Sequence, residues 1–259
     1  MKQFFKQSLL AASLALFLGN ASAENITVGA TPVPHAEILE FIKTDVKALG
    51  FDLVIKEFND YVQPNLATEN GEIDANFFQH TPHLDAFNKE KNGHLVNAAG
   101  IHLEPMGVYS KKHKSFEIKE GASIAIPNDT SNEARALDII AAQGVVKFKD
   151  GVLKTKLDIV ENPKKIDFKE LEAAQVPRAL QDVDFAVINS NYAMDSGLNP
   201  VKDSLIQESS QNNPYVNILV VKAGNENSPK TKALIDALKT QKVKDFILER
   251  YKGAVVPAF

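Results

Sequence analysis

The chain has 259 residues, 29 Lys and Arg against 33 Asp and Glu, a formal net charge of −4 and no cysteine. The acidic balance excludes the basic surface that nucleic-acid binding requires, and the missing thiol excludes disulfides, thiolate metal sites, a cysteine nucleophile and a lipidated cysteine. With 44% hydrophobic and 24% charged residues, the composition suits a soluble globular protein large enough for two lobes.

Met1 to Ala23 reads as a secretory signal. Lys2 and Lys6 give a positive start, Ser8 to Leu18 is apolar, and Ala21-Ser22-Ala23 is a small-x-small cleavage site. The apolar core is too short to cross a bilayer comfortably. Cleavage would leave 27 basic residues against 33 acidic, a formal charge of −6, with the mature chain starting at Glu24.

From Asn25 strand and helix patterns alternate. Ile26 to Ala30 is β-rich, and Thr31-Pro32-Val33-Pro34 breaks it. Ile38, Leu39, Phe41, Ile42, Val46 and Leu49 then recur at helical spacing up to Gly50. Phe51 to Phe58 returns to strand, and Gln63 to Asn70 is a helix closed by Gly71. After it come a strand at Ile73 to Phe77 and a helix whose expected N-cap is Thr81, with Pro82 at the first position. His94 to Ile101 and Met106 to Ser110 are further strands, and the charged stretch Lys111 to Glu120 has the look of a linker.

A second run repeats the pattern: strand Ser123 to Ile126, helix Ser131 to Ala142, strand Leu157 to Val160, Ile166 to Phe168, a helix around Val176 to Leu180 and strand Phe185 to Ile188. Ser209 to Pro214 is polar and turn-rich, a second crossing ahead of the strand Tyr215 to Val221. Two helices after Ser228-Pro229 are expected to pack back on the first lobe. The fold class is α/β, with mostly parallel sheets flanked by helices, and the expected lobes are 24–108 plus 213–259 and 109–212.

The search for catalysis yields no glycine-rich phosphate loop, no G-x-S-x-G elbow and no H-E-x-x-H helix. The expectation is a protein that is not an enzyme and needs no cofactor or metal. The richest stretch is Gly71 to Phe87, where Phe77, Phe78, His80 and His83 gather at the carboxyl end of a strand, the place where open α/β sheets bind ligands. Successive strand residues face opposite ways, so one phenylalanine is expected in the core. His80 and His83 suit either a zinc site or the polar rim of an apolar pocket.

Arg135 falls near a helix amino terminus after Asn128-Asp129-Thr130-Ser131-Asn132-Glu133. It is either half of a carboxylate site or a surface arginine paired with Glu133 or Asp138. Asn189 ends one apolar strand and Asn217 interrupts another. Buried amides need partners, supplied either by a ligand's carboxylate and ammonium or by loop backbone.

Longer segments carry a resemblance. VGATPVPHAEIL, DANFFQHTPHLDAF, GVYSKKHKS, IPNDTSNEARAL, VENPKKIDFKELEAAQVPRAL, FAVINSNYA and PYVNILVV resemble the methionine-binding proteins of bacterial ABC importers, the NlpA/MetQ lipoprotein family, over essentially the whole chain after residue 23. The resemblance implies a two-lobed, type 2-like periplasmic binding protein that captures methionine, L or D, for an inner-membrane ABC permease and its ATPase. Arg135 would then bind the ligand carboxylate and Asn189 and Asn217 its polar head. Tyr61, Phe77, Phe78, His80 and His83 would wall the thioether chain.

The sequence departs from that family in two places. Ala21-Ser22-Ala23-Glu24 holds no lipobox cysteine, so the expectation is a protein free in the periplasm. His83 stands where tyrosine is expected in some relatives, which changes the polarity of the side-chain pocket. The alternatives are another small amino acid, a methionine-containing peptide or, in a different class, a metal held by His80 and His83.

Overall fold

A computed structural model describes residues 23–151 and 153–259, so the expected signal segment lies outside the described residues apart from Ala23. The first lobe is built on a six-stranded sheet. Its strands in chain order are β1 (Glu24–Ala30), β2 (Phe51–Glu57), β3 (Ala75–His80), β4 (Leu95–Leu103), β12 (Val216–Lys222) and β13 (Val256–Pro257), and the spatial order is β13-β4-β12-β3-β1-β2. Between them run α1 (Glu37–Ala48), α2 (Gln63–Glu69) and α3 (Thr81–Lys91), and the carboxyl-terminal α7 (Pro229–Leu238) and α8 (Gln241–Tyr251) return to the same lobe.

The second lobe has a five-stranded sheet ordered β11-β5-β10-β6-β9, made of β5 (Gly107–Tyr109), β6 (Ser123–Pro127), β9 (Asp167–Leu171), β10 (Phe185–Ile188) and β11 (Ile206–Gln207). Helices α4 (Thr130–Ala141), α5 (Val176–Ala179) and α6 (Ser190–Asp195) flank it, and β7 (Lys147–Phe148) pairs with β8 (Ile159–Glu161) as a separate ribbon.

Parallel pairing joins β1 to β2 and β3, and β6 to β9 and β10. The other pairings are antiparallel, so both sheets are mixed and not mostly parallel as expected, because β4, β5 and β12 run against their neighbours. After the second lobe, β12 re-enters the first sheet from the cleft end and runs against both β3 and β4. That reversal places Asn217, near the start of β12, in register with His80 at the end of β3 and with His102 on β4.

Each lobe has its own core. In the first, Ile26, Val28 and Phe77 of the sheet pack with Ile38 and Ile42 of α1, Leu234 of α7 and Ile247 of α8, which fulfils the expected return of the last two helices. In the second, Ile124, Ile126, Phe185 and Val187 pack on Leu137 and Ile140 of α4. Tyr109, Ala186 and Ile188 meet Val176 and Tyr192 on the opposite face. Residues buried on both sheet faces explain why β10 and β12 read as continuous apolar runs rather than alternating ones.

Three local expectations are corrected. β5 pairs with β10 and β11, so the chain passes between the sheets at Glu104-Pro105-Met106, ahead of the expected boundary at 108. Lys111 to Glu120 is therefore no linker. It lies along the second lobe, where Lys112 donates to the Asp182 carbonyl, His113 pairs with Asp184, and Phe116 packs edge-on to Phe185. The third correction concerns α3, which is capped by His80 and not Thr81: the imidazole Nδ1 accepts the His83 N–H at 3.3 Å. β3 accordingly runs three residues beyond the expected Phe77, buried throughout.

Candidate functional site

The cleft between the lobes holds a cavity lined by residues of both lobes. β3 supplies Phe78, Gln79 and His80, the turn after β2 supplies Tyr61, and α3 supplies His83. The crossing strands supply Glu104 and Asn217, and the second lobe faces them with Asn132, Arg135, Asn189 and Asn191. Of the residues singled out from the sequence, all but Phe77 line this cavity. Phe77 is fully buried beneath it in the first-lobe core, edge-on to His35 and His102, because strand alternation turns its ring away from the cleft.

Arg135 is 3% exposed and anchored on two sides. Its Nε and Nη2 donate to the Glu208 carboxylate at 3.0 and 2.5 Å, Nη2 also donates to the Glu104 carbonyl at 2.9 Å, and the guanidinium lies 4.2 Å from the Tyr215 ring centre. Neither Glu133 nor Asp138 is its partner. Among the described residues Nη1 has no acceptor, which leaves one face of the fork for an anion in the cleft.

Asn189 Nδ2 donates to Asn132 Oδ1 at 2.9 Å, while its own Oδ1 is buried without a donor. Such an acceptor is costly unless a ligand N–H meets it. Asn217 Oδ1 accepts from His35 Nε2 at 3.1 Å, and its Nδ2 has no acceptor among the described residues. Both asparagines thus present one unused amide atom, of opposite polarity.

Behind them lies a buried group that the sequence reading missed. Glu104 Oε1 accepts from His102 Nε2 at 2.8 Å and from His35 Nε2 at 3.2 Å, and the Thr31 hydroxyl donates to His35 Nδ1 at 2.7 Å. Burial pushes His102 down to about 3. It also dominates at His35, lowered to about 4, where the Glu104 charge opposes it. Both rings are therefore neutral. Burial also raises Glu104, against the Arg135 charge and the Asn191 backbone N–H. Their signals were a histidine in a Pro-rich break and a glutamate beside Pro105, neither of which announces a site without the fold.

The ligand atoms of His35, His102 and Glu104 lie within 4.8 Å of one another, close enough for a metal. The donor set fits poorly: a metal on His102 Nε2 would leave a buried Nδ1–H that has no acceptor. His80 and His83 do not form a ligand pair either. Their ring centres are 6.1 Å apart, and every ring nitrogen already meets a protein partner.

The other end of the cavity is aromatic. Tyr61 is tilted against Phe78 at 5.9 Å and meets His83 edge-on at 5.8 Å, with Phe78 also edge-on to His83 at 5.8 Å. Tyr61 donates its hydroxyl across the cleft to Asn191 Oδ1 at 2.5 Å, and burial raises its pKa well above the ordinary value, so it stays a neutral donor. The lining of the cavity divides into a charged end and an apolar end.

Residues 26–259 match the model of the NlpA lipoprotein family. The chain belongs to the NlpA lipoprotein family. Within it, the methionine-binding lipoprotein MetQ of Bacillus subtilis is 40% identical over 271 residues, covering 99% of both chains. A nutrient-binding protein from Burkholderia cenocepacia, solved bound to methionine, superposes with a TM-score of 0.88 at 44% identity and covers 90% of this chain and all of its own. An ABC-transporter periplasmic substrate-binding protein from Coxiella burnetii gives 0.86 at 38% identity, with 90% of this chain and all of its own covered. The two-lobed α/β architecture is that of these NlpA-type binding proteins. Among the described residues no helix is long and apolar enough to cross a membrane.

Proposed function

We propose that the protein is a periplasmic solute-binding protein that captures methionine and hands it to an inner-membrane ABC permease with its ATPase. One observation carries the reading: the unused polar atoms of the cavity match an amino-acid head, beside a wall suited to a thioether. Arg135 Nη1 and Asn217 Nδ2 are donors for the α-carboxylate. Asn189 Oδ1 and the Glu104 carboxylate are acceptors for the α-ammonium. Tyr61, Phe78 and the His83 ring take the side chain, where a polarisable sulfur lies well against ring edges. The methionine named for the Burkholderia cenocepacia and Bacillus subtilis proteins supports the same ligand.

Closure is the mechanism. The ligand bridges second-lobe Arg135 and Asn189 to first-lobe Phe78 and His83, so it binds the closed form better than the open one and shifts the population toward it. The closed form is what the permease reads, and the protein performs no chemistry on its cargo. The test is calorimetric titration of unfolded and refolded, ligand-free protein with L- and D-methionine. Saturable binding at micromolar affinity or tighter is expected, and no heat from a folded sample sinks the assignment.

A further inference from the structure

His83 lies between a carbonyl and a carboxylate, with a serine hydroxyl beside the carboxylate. Its Nε2 is 3.2 Å from the Tyr61 carbonyl, and its Nδ1 is 3.2 Å from Asp129 Oδ1 and 3.3 Å from Ser131 Oγ. A carbonyl has no proton to give. Asp129 has none either, since it already accepts from the N–H and Nδ2 of Asn132 and the Ser131 hydroxyl, as an ionised helix cap does. The one hydroxyl within reach, Ser131 Oγ, donates instead to Asp129 Oδ1 at 3.1 Å, so no donor is left for either ring nitrogen, both carry hydrogen and the ring is an imidazolium. His83 is on α3 of the first lobe and Asp129 caps α4 of the second, so the ion pair spans the cleft.

The neighbour one turn away behaves in the opposite manner. His80 Nδ1 accepts the His83 N–H, and its Nε2 donates to Asn132 Oδ1 at 3.2 Å, which fixes a neutral ring. Burial and the charges of Arg135 and His83 push it down to about 3. The groups facing His83 are Asp129 and Ser131 from α4, Tyr61 and its carbonyl from the turn after β2, His80 from β3 and Glu90 from α3 itself. Burial pulls His83 down, but the hydrogen bond and charge of Asp129, the Tyr61 carbonyl and Glu90 outweigh it and leave its pKa raised.

We propose that His83 is a protonation-dependent latch: its imidazolium, paired with Asp129 across the side-chain end of the cleft, holds the closed state and slows release of the bound ligand. The sign follows from linkage. A group whose pKa is higher in the closed form than in the open one stabilises closure fully below the open-state value, ordinarily near 6.5 for histidine, and stops doing so as pH rises through the closed-state value. Ligand is held in acid and released more readily toward alkaline pH. The proposal rests on methionine as the cargo.

The test follows the His83 Cε1–H resonance of the full mature chain against pH, with and without methionine and assigned with His83→Gln. It is paired with the dissociation rate of labelled methionine from pH 6 to 8.5. Expected are a higher His83 pKa in the methionine-bound protein and a dissociation rate that rises roughly fivefold across the window, the scale of a partly exposed ion pair. His83→Gln and Asp129→Asn, which keeps a helix-capping side chain, should both release methionine fast at every pH. An unchanged His83 pKa on binding, or a wild-type rate indifferent to pH, overturns the latch while leaving methionine binding in place. Absence of methionine binding at any pH overturns both.

Discussion

The two ends of the cleft hold their parts in different ways. At the crossing end, Arg135, Glu208, Glu104, His35, His102 and Asn217 form one continuous, largely buried hydrogen-bond network. At the other end, Tyr61, Phe78 and His83 touch through ring edges, and the polar bonds reach across the gap between lobes to Asn191 and Asp129. The first end is tied at the two chain crossings, where Glu104 after β4 and Glu208 after β11 both hold the Arg135 guanidinium. The second is completed only when the lobes meet. In our reading the head group of any α-amino acid meets the crossing end, and the end that forms on closing examines the side chain.

The sharpest way to break this contrast is Arg135→Ala. Removing the guanidinium deletes charge-assisted bonds to the ligand, about 1.5 to 3 kcal/mol, and leaves the Glu208 carboxylate, 13% exposed, without its cation. Calorimetry should show methionine affinity falling by one to two orders of magnitude, and thermal unfolding should show a lowered midpoint. Arg135→Met combined with Glu208→Gln should recover the midpoint and not the affinity. Affinity restored by that double variant would remove Arg135 from the ligand site.

Phe77 and Phe78 divide the two roles between adjacent residues. Phe77→Ala empties a fully buried core position and should cost about 3 to 5 kcal/mol of stability. Phe78→Ala removes cavity wall and should cost affinity in excess of its effect on unfolding. Denaturant melts and titrations on the same pair of variants separate the two, and equal loss of binding in both would mean that the alternation argument fails.

Acid should attack the crossing end first. His35, His80 and His102 are neutral and buried, with pKa values lowered to about 4, about 3 and about 3, so the unfolded chain binds more protons than the folded one below the ordinary histidine value. Each group then contributes stability that is present above about pH 6.5 and is lost as pH falls toward its folded value, by up to roughly 1.4 kcal/mol per pH unit. Glu133 adds an opposing trend. Its carboxyl, raised to about 7 by burial and the neighbouring Glu170 against the Lys156 backbone bond, destabilises the fold as pH rises from the ordinary carboxylate range to 7. Urea midpoints between pH 4 and 7 should fall on acidification, and His102→Asn should flatten the slope. A midpoint that does not move below pH 6 would mean that these rings are solvated.

Much of this was legible from periodicity and punctuation. The Gly71 terminus, with φ at +74°, the Ser228 cap and the order of strands and helices all rest on local rules that the tertiary fold did not override. Arg135 was legible from its place near a helix amino terminus, and Asn189 and Asn217 because an amide ending or interrupting an apolar strand has to be satisfied somewhere. The Arg135 partner was not, since Glu208 lies 73 residues away and meets it only through the second crossing. Glu104, His35 and His102 were silent for the same reason: one sits in a turn, two in or beside an ordinary strand, and only the antiparallel return of β12 brings Asn217 against them. The boundary near residue 108 failed because a three-residue strand carries too little pattern to show which sheet it joins.

The smallest effect is the most selective probe of the end that forms on closing. Tyr61→Phe keeps the ring that lies against Phe78 and His83 and deletes only the hydroxyl that donates to Asn191 across the cleft. A neutral hydrogen bond of this kind contributes about 1 kcal/mol, and it exists only where the lobes have met, so the open protein should not register its loss. Methionine affinity should fall roughly fivefold, with the change in the dissociation rate, while ligand-free protein unfolds as before. Because the phenol stays protonated throughout the neutral range, this loss should be the same at pH 6 and pH 8, unlike the effect of His83→Gln. A Tyr61→Phe penalty that followed pH would mean that the hydroxyl and the imidazolium act as one unit, and the side-chain end would then be one network, as the crossing end is.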